Sequence, residues 1–162
     1  MPAPDPLAPY DPVFQAAGTE WNVDPLLLKA MAGQESGGRP TATSSAGAQG
    51  LMQIMPQTQQ QLGIKDPNDP VESIWGAAKY MNQALQAEGS PEGALLFYHG
   101  GPDWRQNYGR ESQAYVPAIA ARYKALLAAQ PGSQPPGQQT PPAASVATQA
   151  PSQQAPAQQA SR

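Results

Sequence analysis

Residues 24–38 read DPLLLKAMAGQESGG, a stretch that carries the signals of one complete helix. An Asp-Pro pair is typical of a helix start and a Gly-Gly pair of a helix end, because Asp caps free amide groups, proline fits the first turn and glycine adopts the left-handed cap. Leu28, Met31 and Ala32 fall on one face of this helix. The same i, i+3, i+4, i+7 series continues to Glu35. The pattern therefore predicts a carboxylate on the buried stripe, in the last turn.

A carboxylate in that place has the properties of a general acid. Burial and the C-terminal end of the helix dipole both disfavour its charge, so both raise its pKa. A raised pKa near the working pH is what a general acid requires. The alternative interpretation is that Glu35 marks a frayed helix end and points to water, so the surrounding motifs have to decide.

Outward from this stretch, the chain is predicted to be all-α. Further Asp-Pro or Ser-Pro pairs predict helix starts at Asp11, Asp69 and Ser90, and Glu72 is placed as a capping-box partner of the second. The helix after Asp69 has an apolar stripe with helical spacing, at positions 74, 77, 78, 81 and 85. Pro117 is predicted to begin the last helix and to separate it from residues 111–115.

Composition divides the chain into three parts. Residues 1–9 form a Pro-rich arm, and residues 10–129 have the length of one domain. Residues 130–162 contain no Leu, Ile, Met or aromatic residue. Because such a segment cannot offset an ordering entropy of roughly 1–2 kcal/mol per residue, we expect a disordered tail that could tether the domain to a larger assembly.

Composition also excludes several classes of site. The chain has no cysteine and one histidine, which disfavours thiolate or histidine metal sites, Cys nucleophiles and Ser-His-Asp triads. A net charge of −3 without a basic cluster is a poor footprint for nucleic acid. We therefore expect no metal, no cofactor and an uncharged polar partner such as a sugar.

Targeting signals are not visible in the sequence. The N-terminus lacks a basic region followed by an apolar stretch, and no run approaches the roughly 20 apolar residues of a membrane span. A target outside the cytoplasm then implies an unusual export route, a place in a virion, or a signal missing from the recorded sequence.

Four blocks of sequence occur in the order of a known family. They are ES at 35–36, SSAGAQGLMQIMPQT at 44–58, ALLFY at 94–98 and ESQAYV at 111–116. Together they resemble the goose-lysozyme-like family of soluble lytic transglycosylases, over about residues 11–127. The resemblance implies a lysozyme-like all-α catalytic domain that degrades peptidoglycan of the bacterial cell wall.

The resemblance also implies roles for single residues. Glu35 matches the only catalytic acid/base. The positions that match residues near that carboxylate or along the sugar groove are Ser44, Met52, Gln53, Met55, Tyr98, Glu111 and Tyr115. For the methionines and tyrosines the alternative is a plain core role, for Ser44 a turn, and for Glu111 a solvated helix start.

One motif departs from the family. After Tyr98 the family usually has Asn-Ala-Gly-Pro, whereas this chain has His99 followed by Gly-Gly-Pro. We predict that His99 lines the groove; a surface role is the alternative. The segment 102–109 is short, so we predict a reduced groove wall on that side.

The implied reaction cleaves the β-1,4 bond between N-acetylmuramic acid and N-acetylglucosamine and closes a 1,6-anhydro ring. A glycosidase normally uses two carboxylates, and no second acid is tied to a motif here, since Asp66, Asp69 and Asp103 fall in turns. Two alternatives remain. The first is a muramidase that uses water on the same fold, and the second is an inactive wall-binding or virion module. A phage virion lysin or a secretion-system enzyme is the expected setting.

Overall fold

A computed structural model describes residues 3–131 of the chain. A single 3₁₀ turn at Ala8–Tyr10 leads into six α-helices: α1 (Asp11–Trp21), α2 (Pro25–Glu35), α3 (Pro56–Leu62), α4 (Pro70–Glu88), α5 (Pro91–Gly100) and α6 (Arg110–Ala129). Between α2 and α3 the described part of the chain has two isolated β-bridges, Thr43 with Gln49 and Gln49 with Ile54. These bridges do not extend into a strand. The all-α prediction is confirmed. Of the predicted tail, all but residues 130 and 131 lies outside the described range.

Three of the four predicted caps form. Asp24 accepts from the Leu26 amide at 2.8 Å. Asp69 accepts from two amides of the first turn of α4, and the Ser90 hydroxyl accepts from the Gly93 amide at 3.1 Å. The predicted cap at Asp11 is wrong. Asp11 is itself the first residue of α1, and its carboxylate binds Lys29 Nζ at 2.6 Å instead.

The predicted capping box at α4 is also wrong. The Glu72 carboxylate accepts from the amides of Lys65 and Asp66, at 2.7 and 3.1 Å. The amide of Asp69 instead donates to the Asp66 carbonyl. Glu72 thus ties the preceding turn to the helix, because that turn offers two amide donors within reach of its carboxylate.

Pro117 does not begin a helix, contrary to the prediction, but lies inside the continuous helix α6. A proline there removes one backbone bond and costs about 3 kcal/mol in a helix interior. Pro117 and Gln113, whose carbonyl loses its partner, are both exposed, so water can replace the missing donor. Tyr115 and Ile119 on the opposite side are buried, and their packing outweighs the local cost.

The core forms where the helices cross. α4 packs against α1 and α5, α2 packs against α1 and α6, and α5 packs against α6. The predicted stripe of α4 is confirmed, with Ile74, Ala77, Ala78 and Met81 fully buried and Leu85 packed at the core edge. Between residues 3 and 131 no helix is long and apolar enough to cross a bilayer.

The end of the Pro-rich arm packs on the helices. Lys29 of α2 is buried and pairs with Asp5 at 2.8 Å and with Asp11 at 2.6 Å. Leu7 between them joins the core. These contacts fix the start of α1 against α2 and so help to hold the helix that carries Glu35.

Candidate active site

Glu35 is the last residue of α2, on the side of the helix that Leu28, Met31 and Ala32 bury. Its side chain lies in the wall of a groove with a volume of about 1050 Å³. One oxygen, Oε1, accepts a hydrogen bond from the Tyr115 hydroxyl. The carboxyl group is thus held at the groove wall by α6.

The environment of Glu35 raises its pKa to about 7. Burial is the larger cause, because it disfavours the charged form; the hydrogen bond from Tyr115 acts in the opposite direction, because it stabilises the carboxylate. A carboxyl group with this pKa populates both protonation states near neutral pH. It can donate a proton in one step and accept one in the next.

Two buried tyrosines lie beside this carboxyl group. The Tyr98 hydroxyl donates to the Met52 carbonyl at 2.8 Å, and the Tyr115 hydroxyl donates to Glu35. Burial, followed by the negative charge of Glu35, raises the pKa of both phenols well above the usual value. Both hydroxyls therefore stay protonated and act as hydrogen-bond donors.

The GLMQ segment is fixed by contacts that its residue types require. Gly50 has φ of +83°, and a Cβ there would lie 1.9 Å from the Pro67 carbonyl oxygen, so only glycine fits. The next residues fold over α4, where the Met52 amide donates to the buried Ser73 hydroxyl at 3.1 Å. Gln53 has a left-handed backbone, with φ of 49°.

The side chain of Gln53 lines the groove while it closes the loop. Its amide nitrogen donates to the carbonyls of Ala42 and Gly50, at 3.0 and 2.9 Å. These bonds use both N–H groups and leave the side-chain carbonyl oxygen to meet a ligand. Ser44 also lines the groove, and its hydroxyl accepts from the Ala48 amide at 3.0 Å. Ser44 thus stabilises the turn and also lines the groove, as both interpretations predicted.

The two methionines have different places. Met55 is 44% exposed and lines the groove. Met52 has no exposed surface and is absent from the groove wall. Only its backbone reaches the site, through the carbonyl that binds Tyr98. The side-chain role that the resemblance implies for Met52 at the groove floor is therefore not what this arrangement provides.

His99 and Glu111 both line the groove, and both are exposed. The His99 ring stacks on Tyr115, with centroids 4.4 Å apart and planes at 25°. Partial desolvation of the imidazole ring lowers the pKa of His99, and the charge of Glu111 opposes that shift. Asp103, which the sequence places in a turn, lines the groove as well.

The structure adds groove residues that the sequence did not indicate. They come from α3, α4 and α5, and include Gln57, Gln61, Tyr80, Gln83 and Phe97. The Tyr80 ring lies 5.3 Å from that of Tyr98 and 5.6 Å from that of Phe97. Tyr80 lies beside the apolar stripe of α4, and no local signal distinguishes such a flank position from ordinary surface.

Comparisons with known proteins identify the family of this chain. The family model for the transglycosylase SLT domain matches residues 12–118. A transglycosylase of Enterobacteria phage PRD1 is 40% identical over 100 residues, which are 62% of this chain and 37% of that protein. The membrane-bound lytic murein transglycosylase F of Ectopseudomonas mendocina is 41% identical over 80 residues, or 49% of this chain and 16% of that protein. The chain thus spans well under half the length of either relative.

A solved structure has the same fold. The 70-kDa soluble lytic transglycosylase from Escherichia coli aligns with a TM-score of 0.60 and 26% identity, over 73% of this chain and 24% of that one. The family model covers most of the described residues and both sides of the groove, from α1 into α6. The chain therefore belongs to the transglycosylase SLT domain family.

Proposed function

We propose that this chain is a lytic transglycosylase of peptidoglycan with Glu35 as its catalytic acid and base. The observation that carries the proposal is a carboxyl group in the wall of a groove of about 1050 Å³, with a pKa of about 7 and a phenol hydroxyl as its partner. The murein transglycosylase among the relatives supports the substrate class.

The reaction starts with a protonated Glu35. Its proton passes to the glycosidic oxygen between N-acetylmuramic acid and N-acetylglucosamine, and the bond from that oxygen to the anomeric carbon of the muramic acid breaks. The 2-acetamido group of the same sugar stabilises the positive charge that develops. Glu35 is then a carboxylate, and Tyr115 donates a hydrogen bond to it in this state.

In the second step the carboxylate removes the proton of the muramic acid 6-hydroxyl. That oxygen attacks the anomeric carbon of its own sugar and closes the 1,6-anhydro ring, so water is not consumed. Glu35 ends the cycle protonated, as it began. A pKa near 7 suits both directions of transfer, because neither protonation state is strongly favoured.

The groove side chains are assigned to substrate binding. Gln53 offers an amide oxygen to sugar hydroxyl or N–H groups, and Met55 offers an exposed apolar surface to a pyranose face. Glu111 and Ser44 also line the groove, where Glu111 can accept from amino or hydroxyl groups of the substrate. For Met52 we propose a supporting role only, through its carbonyl.

Product analysis tests this proposal directly. Purified sacculi are digested with the wild-type chain, with Glu35→Gln and with the matched control Glu20→Gln, an exposed residue of α1. We expect soluble muropeptides with anhydro ends from the wild type and the control, and none from Glu35→Gln. Products with free reducing ends would establish a muramidase instead. Binding to sacculi without release would establish an inactive wall-binding module.

For the biological setting, we propose cell-wall degradation from a phage particle, which the PRD1 relative supports. The Pro/Gln/Ala-rich tail would act there as a tether. Detection of the chain by mass spectrometry in purified particles of its source would support this setting, and its presence only in cell fractions would contradict it.

A further inference from the structure

A stack of aromatic rings links the groove surface to the catalytic carboxyl group. His99, near the end of α5, stacks on Tyr115 of α6 with ring centroids 4.4 Å apart and planes at 25°. Tyr115 in turn donates its hydroxyl to Glu35 at the end of α2. The three side chains join three helices in one continuous series of contacts.

The two rings of this stack have different surroundings. Tyr115 is 5% exposed and does not form part of the groove wall, whereas His99 is exposed and does. The imidazole therefore covers one face of the phenol ring on the side of the groove. Partial desolvation of the imidazole lowers its pKa more than the charge of Glu111 raises it, which favours the neutral ring.

The asparagine that usually follows the tyrosine in this family has no aromatic face. A planar neutral ring holds a phenol by offset stacking, which depends on ring geometry and contributes beyond the area buried. An amide side chain at position 99 could reach the groove but could not restrain the Tyr115 ring in this way. The stack is thus a feature of this chain that the groove-lining role alone does not explain.

We propose that His99 is a positioning residue, whose ring holds the Tyr115 hydroxyl on Glu35. The proposal deepens the proposed function and rests on it for the importance of Glu35. Three residues act in series. His99 restrains the phenol ring of Tyr115, and this restraint positions the Tyr115 hydroxyl, which stabilises the carboxylate form of Glu35. His99 itself exchanges no proton with the substrate.

The test measures the pKa of Glu35 by NMR titration of its side-chain carboxyl carbon, assigned by comparison with Glu35→Gln. Tyr115→Phe removes the hydrogen bond to the carboxylate, so we expect the Glu35 pKa to rise by roughly one unit. His99→Ala and His99→Asn should raise it by at least half as much. His99→Phe keeps an aromatic face and should restore the wild-type value.

A double variant separates positioning from direct action. In the Tyr115→Phe background there is no hydroxyl left to position, so His99→Ala should add no further shift. The descending alkaline limb of the activity profile should move in parallel with the Glu35 pKa, towards higher pH. Thermal unfolding of each variant shows that the fold is retained, and His99→Asn and His99→Phe keep the test open if His99→Ala does not fold.

Three results would overturn the proposal: an unchanged Glu35 pKa in His99→Ala, an equal shift from His99→Ala in both backgrounds, or a His99→Phe variant that behaves like His99→Ala. The titration needs no substrate. A chain that shows the predicted pKa shifts but releases no wall fragments would therefore contradict the proposed function and leave the positioning role intact.

Discussion

Helices α2 and α4 have the same start and end signals, but the pKa values of their C-terminal glutamates shift in opposite directions. Each begins after a capping Asp with proline in its first turn, and each ends on a glutamate, Glu35 in α2 and Glu88 in α4. The pKa of Glu35 is raised to about 7, whereas the pKa of Glu88 is lowered. Helix position is the same in both cases, so it does not decide the protonation state.

Burial of Glu35 and the charged partner of Glu88 make the difference. Arg105 binds the Glu88 carboxylate through two nitrogens, at 3.1 and 2.5 Å, and the Trp104 indole N–H donates to it at 3.2 Å. Among residues 3–131, Glu35 has no ion pair; its hydrogen-bond partner is the neutral hydroxyl of Tyr115. Burial raises the pKa of Glu35, so that it keeps a proton near neutral pH, whereas the hydrogen bonds and charge of Arg105 lower the pKa of Glu88.

The largest expected effect separates the two glutamates by activity. Glu35→Gln removes the transferable proton, and we expect release of wall fragments to fall by about 10³-fold or more, towards the upper end of what general acid–base catalysis contributes. Glu88→Gln should retain most of the activity. Initial rates of sacculus clearance measure both. Comparable losses in the two variants would show that the groove depends on general helix-end structure and not on Glu35.

A second effect concerns stability and has the opposite sign to the loss of activity. The folded pKa of Glu35 lies above its unfolded value, so the unfolded chain binds fewer protons between about pH 4.5 and 7, and stability falls as pH rises through that window. Glu35→Gln lacks this cost. We expect it to exceed the wild type by about 3 kcal/mol above pH 7 and by little below pH 4.5.

Urea unfolding of both proteins at several pH values measures this difference. Because the other titrating groups are common to both chains, they cancel in the comparison. A constant difference from pH 4.5 to pH 8 would mean that Glu35 ionises normally in the folded protein.

The smallest effect comes from the other helix end. Arg105→Gln removes the cation from Glu88, so the pKa of Glu88 should rise and the free energy of unfolding near pH 7 should fall slightly. The loss in stability should fade as pH drops through the Glu88 pKa. Titration by NMR and thermal unfolding in high and low salt measure these changes. A Glu88 pKa that stays low would assign the shift to the Trp104 N–H instead.

Contacts between residues close in sequence could be predicted from the sequence, whereas contacts with more distant residues could not. Caps at Asp24, Asp69 and Ser90 act within three residues, and all three formed. Asp11 and Glu72 have equally good local signals, but each found a partner elsewhere, Lys29 for the first and the 65–66 amides for the second. A local sequence pattern indicates which donor a side chain can bind, but a donor from elsewhere in the fold can take its place when it is stronger or nearer.

Helix α3 and the continuity of α6 were missed for a related reason. Residues 56–62 contain a single large apolar side chain, so periodicity is silent, although proline after Met55 was an available start signal. The buried residue of α3 is the polar Gln59, whose side-chain amide donates to the Ile54 carbonyl at 2.7 Å. At Pro117, long-range burial of the neighbouring face of α6 outweighed the local penalty.

By itself, the sequence determined that the domain is helical and which motifs flank Glu35, because caps, periodicity and glycine positions act over a few residues. It predicted a carboxylate on the buried stripe of α2 but left open whether that carboxylate points to water. Only the tertiary structure decided that Tyr115, 80 residues away along the chain, holds Glu35, that His99 stacks on Tyr115, and that Met52 faces the core. The pKa of a carboxyl group depends on the dielectric and the donors around it, and here those come from three helices that meet only when the chain is folded.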